Sequence, residues 1–212
     1  MSVNSSDIRF MLYVAGMIHL NMIQCMSVRF IIDWSTSITR ESHSTWQNSN
    51  MYENNLTEKW IHRYLRMSEW VSHWSKDPST KCGCVIVHPE KKTVVSLGYN
   101  GFPSHVEDTP EYLNDREVKY VNMIHAEENA IFNSLRRDHT GMHLFVYPFT
   151  PCHNCAELIV EVGISHVYTV VFDRDNDRFM RWRDSFEMTM CLFDKNNVGY
   201  SEHALQVSTN AL

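Results

Sequence analysis

The chain has 212 residues, enough for one α/β domain with a full core and a modest extension but too few for two ordinary domains. Its 19 Lys and Arg against 25 Asp and Glu give a formal charge of -6, which argues against a broad basic face for nucleic-acid polymer and leaves room for a small charged ligand in a local pocket. The six cysteines, Cys25, Cys82, Cys84, Cys152, Cys155 and Cys191, lack the density of a small secreted disulfide scaffold, so a thiol-reducing, cytoplasmic setting is expected.

The opening segment is apolar from Phe10 to Leu20, but His19, Asn21, Gln24 and Arg29 interrupt it before it could span a bilayer. It also lacks a signal-peptide cleavage pattern, and no membrane association is expected. Met1, Met11, Met17, Met22 and Met26 crowd this region, whereas the first lysine is Lys59 and the first proline Pro78. With the Ser, Thr and Asn-rich run from Ser35 to Asn55, that shift reads residues 1–55 as an N-terminal extension and residues 56–212 as the main domain. A translation start at an internal methionine such as Met51 is the other reading of the same shift.

From Leu56 onward, Leu56, Trp60, Tyr64, Leu65, Trp70, Val71 and Trp74 recur at helical spacing and predict an amphipathic helix. Strands are expected over Cys82–Val87 and Thr93–Leu97, joined as a hairpin through His88 to Lys92. Phe102 to Val121, with Pro103, Pro110 and Asn114 and no apolar period, reads as a long loop. A helix near Ala126–Leu135, a strand Leu144–Phe149, a helix near Cys152–Val162 and a strand Val167–Phe172 follow, an alternation that signals βαβ units. Asp177 to Phe193 carries Phe179, Trp182, Phe186, Met190 and Phe193 at helical spacing and reads as a last helix.

Two motifs open consecutive helices: His125-Ala126-Glu127 and Pro151-Cys152-His153-Asn154-Cys155. Cys152 and Cys155 are three apart, so one helical turn faces them the same way, and a helix N-terminus favours their thiolates. A CxxC can be a redox dithiol, but a separate histidine has no place in that chemistry. One nitrogen and two sulfur donors suit zinc, and three protein ligands leave a fourth tetrahedral position for water. Glu127 is too close in sequence to His125 to be an equivalent ligand, yet it is placed to take a proton from that water and redeliver it. This H-x-E with P-C-x-x-C pattern is the signature of zinc nucleobase deaminases.

Together with Ser75-Lys76-Asp77-Pro78-Ser79-Thr80-Lys81 and Gly98-Tyr99-Asn100-Gly101-Phe102-Pro103, these motifs make the chain resemble the cytidine and deoxycytidylate deaminase superfamily, and its deoxycytidylate branch most closely, from about Trp74 to Asp173. The resemblance implies a three-layer α/β/α fold with a central mixed sheet, and zinc (Zn2+) held by His125, Cys152 and Cys155 with Glu127 as the proton carrier. It implies that dCMP is hydrolysed to dUMP and ammonia. Asn100 would meet the sugar hydroxyl, Ala126 and Thr150 would line the base pocket, and Lys76 and Lys81 would lie near the phosphate. For both lysines, solvated loop charge is the competing reading. Relatives of this kind form homo-oligomers and are often regulated by dCTP and dTTP.

The sequence departs from the family at Glu128, where an apolar residue is usual and where a side chain turned away from the metal is expected. It also departs at Cys82 and Cys84, which share a strand face and read as small buried side chains rather than a second metal site. His153 reads as a bystander. Phe145, Tyr147 and Phe149 read as core, and Arg136, Arg137, Arg174, Arg178, Arg181 and Arg183 as solvated surface. Two rival functions remain at this stage: a deaminase acting on another cytosine or purine compound, and a non-catalytic, nucleotide-sensing protein of the same fold.

Overall fold

The structure, a computed structural model, describes residues 56–172 and 177–205; the expected extension over residues 1–55 and Arg174 lie outside the described residues, as do the side chains of Arg178 and Phe179. Helix α1 (Glu58–Ser72) buries Ile61, Tyr64, Leu65, Ser68 and Val71 at the expected helical spacing. The stripe differs from the expected one at its tryptophans: Trp70 and Trp74 are exposed by 67% and 50%. The reason is a close approach. A Cβ at Gly83 would run into the backbone of Ser68 and Ser72, so the helix lies directly against the next strand and small serines take the contact positions.

That strand, β1 (Gly83–His88), pairs antiparallel with β2 (Thr93–Tyr99) as the expected hairpin, with an irregularity between Ile86 and Val87. The segment read as one long loop instead contains two short helices, α2 (Pro110–Asn114) and α3 (Arg116–Asn122). Capping explains them. The Thr109 side chain accepts from the Tyr112 amide with Pro110 in the first turn, and Asp115 accepts from the amides of Glu117 and Val118. Neither helix needs a long apolar period, because each is barely more than a turn or two.

Helix α4 (Ala126–Asn133), strand β3 (His143–Tyr147), helix α5 (His153–Glu161), strand β4 (His166–Val170) and helix α6 (Asp177–Lys195) follow the expected alternation. Strand β3 ends before Pro148, which has no N–H to offer a ladder. A fifth strand, β5 (Gly199–His203), was not expected from the sequence; it pairs parallel with β4. The sheet order is β2-β1-β3-β4-β5, antiparallel across β2, β1 and β3 and parallel across β3, β4 and β5. The result is a mixed α/β fold with helices on both faces of a central mixed sheet.

Alternation along the strands builds two cores. Cys84, Ile86, Leu144, Val146 and Val167 face α4, α5 and α6, where Ala126, Ala130, Ala156, Ile159 and Phe193 complete the layer. Val85, Val87, Phe145, Tyr168 and Val170 face α1. Each of the valine, leucine, isoleucine and phenylalanine side chains among them contributes roughly 1.5–3 kcal/mol on burial. Phe145 stacks on Tyr168 with ring centroids 4.5 Å apart, so it belongs to the core as expected. Phe149 lies beyond the strand, edge-on to Phe172.

Candidate metal centre

Two helix N-termini on the same side of the sheet bring the trio together. His125 is the residue before α4 and Cys152 the residue before α5, both in extended backbone, and Cys155 sits one turn into α5. His125 Nδ1 lies 3.4 Å from Cys152 Sγ and 3.3 Å from Cys155 Sγ. Ligands of one tetrahedral zinc lie roughly 3.5 Å apart, so the three atoms are spaced to share an ion.

The local sequence explains how each helix is held. At α4, a Cβ at Gly98 would collide with the backbone of Ala126 and Ala130, so glycine alone lets the helix rest on β2. Asn129 and Asn133 donate their amides to the carbonyls of Tyr99 and Leu97, and the Ser96 hydroxyl donates to the Ala130 carbonyl. Just before His125, Ile124 and Gly101 exchange backbone bonds at 2.9 and 3.1 Å, which draws the histidine towards Asn100. Glu128, unusual at its position, turns back so that its Oε2 accepts the His125 amide at 2.7 Å. It is thus a cap for the helix that carries the ligand.

Helix α5 is held from α6. Ser185 Oγ accepts the His153 amide at 3.0 Å and lies 3.0 Å from His153 Nδ1, while the Thr189 hydroxyl donates to the Pro151 carbonyl at 2.9 Å. His153 points away from the trio, as expected, but it is a tie between helices and not idle. Thr150 is buried and donates to Tyr200 Oη at 2.7 Å, which in turn donates to Glu202. Ser185, Thr189 and Tyr200 had no motif to mark them; only the packing of α6 and β5 reveals their part.

Electrostatics of the trio fit a metal. The Cys155 thiol donates to Cys152, which brings the Cys152 thiol down to about 4 with His125 assisting, and keeps Cys155 itself well above its ordinary value. The bond to Cys152 also raises His125 to about 9, against the opposing effect of burial. A preformed thiolate beside a second thiol and an imidazole is the donor set zinc takes up with release of protons. Glu127 is buried, and burial pushes its carboxyl up to about 7, with His125 opposing and Cys152 adding to the rise. Cys82 and Cys84 are free thiols, and Cys84 is fully buried in the core; burial raises both, so they stay protonated.

The loop before β1 is a buried polar knot. Asn100 Oδ1 accepts the Cys82 amide at 2.7 Å, and its Nδ2 donates to the Thr80 carbonyl at 2.9 Å and reaches Asp77 at 3.4 Å. The Ser75 hydroxyl donates to the Asn100 carbonyl. Asp77 accepts from Ser79 and Thr80 and is met by Lys119 Nζ at 3.2 Å. Burial pushes the Asp77 carboxyl up, but these donors outweigh it and hold it below its ordinary value. Lys119 also donates to Ser79 Oγ at 2.5 Å and is itself buried. Lys76 and Lys81 are both exposed, and Lys76 pairs with Asp108 at 2.7 Å. The buried cation of this loop is therefore Lys119, which lies inside the region read as a loop. Its place four residues after the helix-capping Asp115 is the one sequence cue to it.

A family model described as the cytidine and deoxycytidylate deaminase zinc-binding region matches residues 58–171. The chain is 39% identical over 143 residues to an "Uncharacterized deaminase in luxG 3'region" of Aliivibrio fischeri, covering 68% of this chain and 92% of that relative. It is 35% identical over 138 residues to the deoxycytidylate deaminase of Homo sapiens, covering 62% of this chain and 71% of the relative. Among solved structures, the dCMP deaminase from the cyanophage S-TIM5 in complex with dCMP and dUMP aligns with a TM-score of 0.53 at 20% identity, over 69% of this chain and 98% of that one. That likeness is one of fold. Among the described residues, no helix is long and apolar enough to cross a membrane.

Proposed function

We propose that this chain, which belongs to the family of cytidine and deoxycytidylate deaminases, hydrolyses dCMP to dUMP and ammonia. The observation that carries the reading is the buried Glu127 carboxyl beside the His125, Cys152 and Cys155 trio. Zinc, when bound by those three residues, supplies Lewis acidity that makes water a nucleophile near neutral pH.

Glu127 does the proton work. A buried carboxyl within reach of the water both takes and gives a proton. It removes one proton from the attacking water and delivers it to N3 as oxygen bonds to C4. It then moves the remaining hydroxyl proton to the 4-amino nitrogen, which leaves as ammonia while the C4 oxygen becomes a carbonyl. Water in and ammonia out balance the reaction.

The substrate is positioned by the surroundings of the trio. Ala126 and Thr150 line the base, and Asn100 reaches the sugar from the knot it forms with Asp77. Lys76 and Lys81 are exposed cations at the rim of the same loop, in reach of a phosphate dianion. The likeness to the deoxycytidylate deaminase of Homo sapiens supports the nucleotide over the nucleoside.

An ammonia-release assay on dCMP, deoxycytidine, dCTP, cytosine and adenosine, each with and without added dCTP, tests the reading. Preference for dCMP is the expected result. Preference for the unphosphorylated nucleoside overturns the nucleotide assignment, and zinc content without turnover on any of the panel overturns the enzyme assignment.

A further inference from the structure

On the opposite face of the sheet from the trio, Glu58, His62 and His203 bring three metal-competent atoms within 4.8 Å of one another. Glu58 and His62 are four apart on α1, so a single helical turn places them on one face. Glu58 Oε2 lies 3.6 Å from His62 Nε2. His203, the last residue of β5, brings its Nδ1 to 3.2 Å from the same oxygen. Two ligands of one tetrahedral ion, each about 2.1 Å from it, lie roughly 3.4 Å apart, and the two separations bracket that value. His62 meets Glu58 as an i,i+4 ion pair, and the oxygen it meets is the one that His203 also approaches.

Behind His203, Ser201 holds the ring in place. His203 Nε2 lies 3.2 Å from Ser201 Oγ, and Ser201 Oγ lies 3.0 Å from His166 Nε2. Ser201 Oγ thus bridges the two imidazoles, with the direction of the two bonds set by their tautomers. On the other side of the ring Nδ1 meets the Glu58 carboxylate, and an ion at that point takes the place of the proton they share, with Ser201 fixing the ring's orientation.

We propose that Glu58, His62 and His203 form a second zinc site that clasps the first turn of α1 to β5. Two imidazoles and one carboxylate are borderline donors that favour zinc among common divalent ions; magnesium and calcium prefer all-oxygen cages. The site joins His62 on α1 to His203 on β5, 141 residues later in the chain, and it has no protein ligand in common with the His125 trio.

Zinc content of the full chain, dialysed against buffered zinc and measured by mass spectrometry, tests this directly. Two equivalents per chain are expected. His62→Ala and Glu58→Gln, both at exposed or half-exposed positions, should each bring the content to one with deaminase activity retained. The Cys152→Ser/Cys155→Ser double variant should keep the other equivalent. Cobalt substitution gives a second readout, since the first equivalent should produce thiolate charge-transfer absorption and the second should add none. A wild-type chain that holds one equivalent, or a His62→Ala chain that still holds two, overturns the proposal.

Discussion

Lys119 Nζ lies 3.2 Å from Asp77 Oδ1, and this buried pair ties α3 to the loop that precedes β1 across 42 residues of sequence. Asp77 in turn contacts Asn100, so the pair sits behind the residue assigned to the sugar. Removing one partner strands the other charge in a desolvated place. Lys119→Met should therefore lower stability by about 3 kcal/mol and reduce turnover. Lys76→Ala, which breaks only an exposed pair with Asp108, should change stability by less than about 1 kcal/mol. Denaturant unfolding of both variants, with the deamination assay alongside, checks the contrast; equal losses would contradict it.

Glu127→Gln keeps the shape of the buried side chain and removes its ability to carry a proton. Turnover should fall by about 10²–10⁴ while the zinc bound by His125, Cys152 and Cys155 is retained. Cys155→Ala should lose both together. Metal analysis and single-turnover rates on the same preparations distinguish the two kinds of loss.

Gly98 is where α4 rests on β2, and any Cβ there meets helix backbone. Because backbone cannot swing aside as a side chain can, Gly98→Ala should push α4 outward and carry His125 with it. We expect weaker zinc retention against a chelator and a lower melting temperature, whereas Gly101→Ala, where a Cβ meets only the edge of Tyr99 at 3.9 Å, should leave both nearly unchanged.

His143 and His166 titrate far below an ordinary histidine, at about 4 and about 3, chiefly because they are buried. Their folded-state values lie below the unfolded one, so the unfolded chain binds protons more readily and stability drops as pH falls through 6.5 towards 4. For His166 this amounts to on the order of 2 kcal/mol at pH 5. His166→Gln, which never charges, should narrow the stability difference between pH 7.5 and pH 5 by that amount. Unfolding curves at the two pH values, recorded on chelator-treated protein so that no metal is lost with acid, measure it.

What the sequence determined by itself was local or periodic. Two short motifs at helix starts named the metal ligands and the proton carrier, because a three-residue spacing and a helix N-terminus dictate geometry within one turn. Alternation along β1 and β3 and the spacing along α1 foretold a sheet with helices, because those periods follow from backbone geometry alone. The tertiary structure decided what depends on distant partners. Strand β5 is too short and too polar to announce itself and forms because β4 offers it an edge. Helices α2 and α3 are fixed by caps and not by an apolar stripe. Trp70 and Trp74 lie outside because Gly83 lets α1 come too near for large side chains. Lys119 is buried against Asp77, and His203 stands beside Glu58 and His62, only once the chain has brought residues far apart in sequence into contact, and no spacing along it records those meetings.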